Sequence, residues 1–168
     1  VCLQEVKAKE EDFPFAAVKA AGFEHIALYG MAGYNGVAIL SRRPLTGVRR
    51  FDWAGKADAR HISAVTEEGI EIHNIYIPAG GDLPDPAANP AFALSLIHIR
   101  RCRPEPEKVF SWWSYRNPNW QTNDKGRRLD HVWISPALAP QLQSAFVLKE
   151  YRGHERPSDH VPVGVVLV

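Results

Sequence analysis

The sequence predicts a single domain of the mixed α/β (α+β) class with mostly antiparallel strands. The chain has 168 residues, of which 45% are hydrophobic, and this is enough for one domain with a sizeable core. One helical pattern near the start is followed by short β-rich segments, which are joined by turns of Gly, Asn and Pro. Short strands at this spacing are typical of an antiparallel meander within a sheet.

The first half is predicted as a strand, a helix and four further strands. Residues 1–3 read as a strand, so we expect the chain to enter its domain after an earlier segment. The helix covers residues 12–22, where Phe13, Phe15 and Val18 give an apolar side and Gly22 the stop. The later strands are predicted at 25–29, 36–41, 62–66 and 70–76.

The second half is predicted to contain strands at 109–113, 126–135, 145–151 and 161–168, with a short helix at 136–142. Between the halves, a helix that begins at Asn89 and Pro90 breaks off abruptly into residues 94–103. By propensity alone, residues 94–99 would form a strand.

Composition and charge limit the partners. No stretch approaches eighteen apolar residues, so neither a transmembrane helix nor a membrane partner is predicted. No secretory signal is visible, and Cys2 and Cys102 match no metal or redox spacing, so we expect a cytoplasmic protein. We also expect a monomer. Residues 1–99 carry 9 basic and 12 acidic side chains (net −3), whereas residues 100–168 carry 11 and 7 (net +4). A basic second half suits a polyanion, although solvated faces with this asymmetry are common.

Two residues at strand ends in the first half are candidates for chemistry. Glu5 follows the first strand, and Mg²⁺ binds one or two carboxylates while it keeps several waters. Read alone, Glu5 is more often an ordinary acid at a helix start. Tyr76 ends a strand and could donate a hydrogen bond to a phosphate oxygen, or be an aromatic at the edge of the core.

The second half offers an acid–histidine pair. His160 follows Asp159 in a turn before the last strand, and Asp130 lies in the predicted strand 126–135. A carboxylate beside an imidazole fixes its tautomer and stabilises its cation. With Asp159 near a metal or water and Trp112 as a flat apolar wall, these residues fit metal-assisted hydrolysis of a phosphodiester. An isolated Ser-Asp-His turn is more often a solvated surface turn.

Six motifs together resemble the endonuclease/exonuclease/phosphatase superfamily, in particular its exodeoxyribonuclease III branch of abasic-site endonucleases. They are LQEVK (3–7), YNGVAILSR (34–42), NIYIPAGGD (74–82), FSWWSYR (110–116), GRRLDHVWISP (126–136) and ERPSDHVPV (155–163). The resemblance implies a four-layer α/β sandwich of two face-to-face, mostly antiparallel sheets. It also implies Mg²⁺- or Mn²⁺-dependent base excision repair chemistry, with cleavage of duplex DNA at abasic sites and 3′-to-5′ exonuclease action.

The resemblance also implies roles for single residues. Glu5 is similar to the family's metal-binding glutamate, and Tyr76 to a tyrosine that contacts phosphate. Asp130 and His160 resemble the catalytic pair, and Asp159 the acid near the metal and the water. The expected substrate-binding residues are Trp112 and Leu129, which resemble walls of the pocket for a baseless sugar, together with Arg128 and Tyr76.

Two family features have no match in this sequence. The family opens with a strand that carries an asparagine, and its centre holds a Gly-Asp-x-Asn motif that positions the attacking water. The string LSLIHIRRC also resembles the translation of a sequencing adapter. We therefore interpret 1–93 and 104–168 as two segments of one domain, joined artefactually at 94–103 with a central block absent. We expect such a chain to be marginally stable and inactive or impaired.

Two other functions stay open. One is a phosphatase of the same superfamily that acts on small phosphoesters or lipids. The other is a non-catalytic remnant that binds nucleic acid through its arginines without cutting it; those considered are Arg100, Arg101, Arg103, Arg127 and Arg128.

Overall fold

A computed structural model describes residues 1–52, 55–77, 87, 109–123 and 125–168. The chain divides into two compact units, Val1–His98 and Ile99–Val168, called here unit 1 and unit 2. The proposed junction at 94–103, the alternative strand at 94–99 and three of the candidate arginines (100, 101 and 103) lie outside the described residues. No helix among the described residues is long and apolar enough to cross a membrane.

Unit 1 contains two antiparallel sheets of three strands each. The first sheet has the order β1-β3-β2 and the second the order β4-β5-β6. The bounds are β1 Cys2–Gln4, α1 Phe15–Ala20, β2 His25–Tyr29, β3 Val37–Ser41, β4 Leu45–Phe51, β5 His61–Thr66 and β6 Glu71–Ile75. The expected class, mixed α/β with mostly antiparallel strands, is confirmed.

The two sheets of unit 1 pack face to face through alternate residues. In β3, Val37 and Ile39 point toward the second sheet and pack with Ile62 and Ala64 of β5. The intervening Ala38 and Leu40 face the other way, as the two-residue period of a strand requires. All these side chains are buried, so β3 is the central strand of the core.

The opposite face of the first sheet is covered by the segment around α1. Ala38 and Leu40 pack with the buried Phe13, and Val18 of α1 joins the same cluster. The predicted helix at 12–22 is shorter than expected, because Pro14 separates a 3₁₀ turn at Glu10–Asp12 from α1. The described part of unit 1 therefore has three layers: helix, sheet and sheet.

Strand β4 was not predicted. Its sequence, LTGVRRF, has no apolar alternation, and most of its residues are exposed. It forms because it pairs along the edge of β5, with a bulge between Thr46 and Arg49. This is a contribution of tertiary pairing that local propensity does not show.

Unit 2 has one antiparallel pair, β7 (Leu142–Val147) with β8 (Val163–Leu167), and 3₁₀ turns at Ala139–Gln141 and Lys149–Gly153. The prediction of strands at 109–113 and 126–135 was wrong. In their described residues, isolated bridges join Trp112 to Arg127 and to His160, and 128–135 pairs with no strand. Alternation alone does not make a strand, because the backbone groups need a partner ladder. The predicted helix at 136–142 is also wrong; Pro136 and Pro140 limit it to a turn.

Candidate active site

Unit 1 brings together the two candidate residues that the sequence placed at strand ends. Glu5 follows β1 and Tyr76 follows β6, so they lie at the edges of the two facing sheets. The Tyr76 hydroxyl donates a hydrogen bond to Oε1 of Glu5. Both residues keep part of their surface exposed, and the pair is therefore accessible to a ligand from solvent.

A buried amide fixes the distance between these two strand ends. Asn74 of β6 donates from Nδ2 to the carbonyl oxygens of Leu3 (2.8 Å) and Ala38 (2.9 Å) in the first sheet. Its Oδ1 accepts a hydrogen bond from Gln4 Nε2 at 3.2 Å. Asn74 thus binds β6 to β1 two residues before Tyr76. Asn74 is the first residue of the NIYIPAGGD motif, but no sequence pattern indicates that its side chain crosses between the sheets.

The environment of Tyr76 keeps its hydroxyl protonated. Burial and then the hydrogen bond to Glu5 raise its pKa to about 12, against a smaller lowering effect of Arg60. The Arg60 guanidinium lies over the Tyr76 ring, 4.9 Å from its centre, and Nε of Arg60 donates to Asp58 at 2.6 Å. Because the hydroxyl stays protonated at neutral pH, Tyr76 can act as a hydrogen-bond donor to an anionic oxygen.

The Glu5 carboxylate also has a cation beside it. Lys7 Nζ lies 2.8 Å from Oε2 of Glu5. Both residues have positive φ angles, 53° for Glu5 and 54° for Lys7, which is uncommon for side chains other than glycine. Gly36, at φ 82°, approaches this segment closely, and its carbonyl accepts the N–H of Val6 at 3.1 Å. No role for Lys7 was predicted from the sequence, although it is part of the LQEVK motif.

Among the described residues, no group of three or more His, Cys, Asp or Glu side chains is arranged to hold a metal ion. Glu5 offers a single accessible carboxylate, and Mg²⁺ is commonly held by one or two carboxylates with water completing its shell. The donors therefore fit a hydrated hard cation.

Unit 2 brings together the second pair of candidates. Nδ1 of His160 lies 2.8 Å from Oδ2 of Asp130, and both side chains are partly exposed. An ionised carboxylate only accepts hydrogen bonds, so Nδ1 carries the proton and Nε2 is the nitrogen that can exchange one with a substrate. The geometry is that of an orienting acid behind a general acid or base.

The backbone around Asp130 is held by a buried serine. Ser111, which is 1% exposed, accepts the N–H groups of Leu129 (3.1 Å) and Asp130 (3.0 Å) at its Oγ. This contact replaces the ladder that the predicted strand would have supplied. On the other side of the pair, Ser158 Oγ accepts the N–H of His160 at 3.1 Å. The sequence analysis gave no role to Ser111.

Asp159 is oriented by the tryptophan pair. The indole Nε1 of Trp112 donates to Oδ2 of Asp159 at 2.9 Å, and the N–H of Trp113 donates to its backbone carbonyl at 2.9 Å. Trp113 is buried, whereas Trp112 is partly exposed and has Arg127 over its ring, 5.8 Å from the ring centre. The exposed indole and the guanidinium provide a surface suited to a sugar or base.

The remaining predicted substrate residues are at the surface of unit 2. Leu129 is 42% exposed, and Arg128 is exposed too. Desolvation lowers the pKa of the neighbouring His131, and the charge of Arg128 lowers it further. The structure therefore places Leu129 and Arg128 on the same short segment as Asp130.

Comparisons with known proteins identify relatives of this chain. The chain is 24% identical to the exodeoxyribonuclease III of Haemophilus influenzae, over 96% of this chain and 86% of that protein. It is similar to two structures of one Neisseria protein, the 3′-5′ exonuclease NExo (TM-score 0.78) and the 3′ phosphatase NExo bound to product DNA hairpin (0.75). For each, the identity is 27% and the match covers 99% of this chain and 88% of the other.

An AP endonuclease from Archaeoglobus fulgidus has the same fold, with a TM-score of 0.79 at 23% identity, over 99% of this chain and 87% of that one. The alignment with the Haemophilus protein also shows a difference in length. The alignment extends over 233 positions, whereas this chain has 168 residues. At least 65 of the aligned positions, the difference between these numbers, are therefore occupied in the Haemophilus protein and not in this chain.

The profile of the Endonuclease/Exonuclease/phosphatase family matches residues 1–160. This match includes both the Glu5–Tyr76 and the Asp130–His160 pairs. Because it spans nearly the whole sequence, the chain belongs to the endonuclease/exonuclease/phosphatase family.

Proposed function

We propose that this protein is a metal-dependent hydrolase of DNA phosphodiesters, acting at abasic sites and 3′ ends of duplex DNA as a cytoplasmic monomer. The observation that carries the proposal is the 2.8 Å contact between Asp130 and His160. Support comes from family membership and from relatives named as exonucleases and as a phosphatase bound to DNA. The partly exposed Trp112 beside Arg127 favours a polyanion with flat groups over a small phosphoester.

Each residue has a distinct chemical role in this proposal. Asp130 orients His160 and stabilises its cation, so that Nε2 can exchange a proton or contact a phosphate oxygen. Asp159, held by Trp112, orients the attacking water or a metal ligand shell. Tyr76 donates a hydrogen bond to the phosphate, and its raised pKa keeps that proton in place.

The residues proposed as metal ligands, for Mg²⁺ or Mn²⁺, are Glu5 in unit 1 and Asp159 in unit 2. When bound, such an ion acts as a Lewis acid that stabilises charge on the phosphoryl oxygens. Trp112, Leu129 and Arg128 would bind the substrate. A baseless nucleotide loses no stacking when it leaves the duplex, so an apolar wall can select it by shape.

We propose further that the chain is impaired, because 1–93 and 104–168 are two segments of one domain joined artefactually at 94–103. Two facts support this interpretation. At least 65 positions of the alignment with the Haemophilus relative have no counterpart here, and the boundary between the two compact units falls between residues 98 and 99 of the sequence. Sequencing the source DNA across codons 94–103 tests the proposal. Adapter-like bases there support it, and an uninterrupted native gene contradicts it.

The nuclease activity is tested with a labelled duplex that contains one abasic-site analogue. Protein in excess is incubated with Mg²⁺ or Mn²⁺ and the products are resolved on a denaturing gel. We expect cleavage that requires the metal and is on the order of 10² or more slower than that of the Haemophilus relative, since small displacements of catalytic groups cost that much. A rate equal to that of the relative would contradict the impairment.

Substitution identifies the residues responsible. His160→Ala is expected to lower the cleavage rate by about 10²–10⁴, the usual contribution of a general acid or base. His154→Ala is the matched control, because His154 is an exposed histidine of the same unit whose ring contacts that of Tyr151, with the ring centres 4.7 Å apart. Equal rates for the two variants would contradict the role of His160. DNA binding without metal-dependent cleavage would favour the non-catalytic remnant.

A second candidate function is removal of a 3′-phosphate from DNA. It is favoured by the Neisseria relative whose structure is that of a 3′ phosphatase bound to product DNA. The same acid–histidine pair serves either reaction, because both break a P–O bond next to an oriented water. A duplex with a 3′-phosphate in the same assay distinguishes them: release of inorganic phosphate without chain cleavage supports the phosphatase.

A further inference from the structure

The carboxylate of Glu5 is contacted at both of its oxygens. Oε1 accepts the Tyr76 hydroxyl, and Oε2 lies 2.8 Å from the ammonium of Lys7. A hard cation that takes one carboxylate into a shell of water needs one of these oxygens. The metal cation therefore competes with the existing contacts for the same two oxygens. Of these contacts, the Lys7 ammonium has the same sign of charge as the metal cation.

The backbone, and not the ion pair alone, keeps Lys7 at this position. Its φ of 54° lies in the left-handed region, which is unfavourable for a residue with a side chain. Such a conformation persists where surrounding contacts impose it. Here the N–H of Lys7 donates to the carbonyl of Asn35 at 2.9 Å, and Gly33 donates to the carbonyl of Lys7 at 3.4 Å.

The next lysine provides a natural contrast. Lys9 Nζ pairs with Glu11 at 3.4 Å, and those two side chains are 58% and 72% exposed. Lys7 and Glu5 are 54% and 45% exposed. The two lysines therefore have the same charge and nearly equal exposure, but different carboxylate partners.

We propose that Lys7 is the internal counter-ion of Glu5, displaced from the carboxylate when a divalent cation binds and then available to a DNA phosphate. The inference rests on the proposed function, in which Glu5 holds the metal. The exchange keeps the carboxylate neutralised in the absence of metal. It also couples metal binding to phosphate binding, because a divalent ion at Glu5 and the released ammonium both attract an anion.

The first test measures Mn²⁺ affinity from the electron paramagnetic resonance signal of unbound Mn²⁺. Lys7→Met is expected to bind Mn²⁺ about two- to fivefold more tightly than the native chain, the range that an exposed ion pair permits. Lys9→Met should bind as the native chain does. Glu5→Gln should lose the affinity, since it removes the carboxylate charge.

The second test measures binding of an abasic-analogue duplex by fluorescence anisotropy, with Ca²⁺ and with chelator. The native chain and Lys9→Met should gain affinity when Ca²⁺ is added, and Lys7→Met should show a gain about two- to fivefold smaller. Far-UV circular dichroism confirms that the variants are folded. If Lys7→Met is not, Lys7→Gln replaces it, because a polar residue suits this exposed position.

The two assignments fail in different ways. Unchanged or weaker Mn²⁺ binding by Lys7→Met, with binding lost in Glu5→Gln, overturns the role of Lys7 and leaves the metal site intact. Native Mn²⁺ affinity in Glu5→Gln overturns the metal site itself, and the role of Lys7 with it. The proposal is also overturned if Lys7→Met gains as much DNA affinity from Ca²⁺ as the native chain does.

Discussion

Units 1 and 2 differ in how completely they bury their apolar side chains. Among the described residues, ten buried hydrophobic residues lie in unit 1 and two, Trp113 and Val161, in unit 2. Nine of the thirteen exposed large hydrophobic residues lie in unit 2, although it has only 70 of the 168 residues. Unit 2 also contains an open cavity of about 230 Å³, lined by Val109, Phe110, Trp113, Val147 and Lys149.

The difference shows what a second sheet contributes. In unit 1, each sheet covers the apolar face of the other, and alternate residues of β3 are buried on both sides. In unit 2, the β7–β8 pair has no second sheet among the described residues of the unit, and Phe146 and Val166 are exposed. Two strands alone are marginally stable in water. This agrees with the proposal that a central block of the family fold is absent.

The largest effect is expected when a buried aliphatic residue of unit 1 is compared with an exposed aliphatic residue of unit 2. Ile62, at 0% exposure, lies in the core of unit 1, and Ile62→Ala should lower the free energy of unfolding by about 2–5 kcal/mol. Val166 of β8 is 38% exposed, and Val166→Ala should cost less than about 1 kcal/mol. Urea unfolding followed by circular dichroism measures both, and equal losses would contradict the comparison.

Adding the central block that we propose is absent should stabilise unit 2. We expect the unmatched segment of the Haemophilus relative, inserted between residues 93 and 104, to raise abasic-site cleavage by on the order of 10². The reason is that a covering strand would fix the segment that carries Asp130. An insert of the same composition in scrambled order is the control. Equal activity of the two inserts would show that chain length, and not the missing strands, limits the reaction.

A smaller effect is expected from the amide that connects the sheets of unit 1. Asn74→Ala leaves the carbonyl oxygens of Leu3 and Ala38, the second of them buried, without this donor, so it should cost about 1–3 kcal/mol. Asn117→Ala is the counterpart in unit 2, where the amide is half-buried and pairs with Asn123 at 2.7 Å. It should cost about 1 kcal/mol or less. Urea midpoints in the reverse order would contradict the account.

The smallest effect is a pH dependence in unit 1. The pKa of Tyr76 is raised from 10.0 to about 12, so the folded state favours its protonated form. The resulting stabilisation is complete below about pH 10 and is lost as the pH rises toward 12. Tyr76→Phe should therefore lose less stability than the native chain between pH 10 and 12. Unfolding midpoints over that range test this, and parallel curves would exclude the effect.

The sequence predicted much of unit 1 because its strands are buried and apolar. Strands β2, β3, β5 and β6 lie within about one residue of the expected bounds. It failed at β4, which depends on pairing with β5, and at 126–135, where apolar alternation had no partner strand. The apolar pattern of a segment indicates well whether its residues are buried, but it does not indicate whether a partner strand is present.

The candidate site was predictable to a similar degree. Strand-end position and the acid–histidine logic identified Glu5, Tyr76, Asp130 and His160, and the structure places them in two contacting pairs. Their assigned roles stay predictions. The residues that hold them were not foreseen, because their contacts join segments far apart in the chain; they are Lys7, Asn74 and Ser111.

Amide hydrogen exchange tests most directly the claim that the catalytic pair of unit 2 is held on an incomplete framework. The account predicts slow exchange in β3 and β5 and fast exchange in 131–135, with intermediate protection at Leu129 and Asp130 from Ser111. Inserting the block from the relative should slow exchange in 131–135. Protection of 131–135 equal to that of β3 in the native chain would contradict the claim.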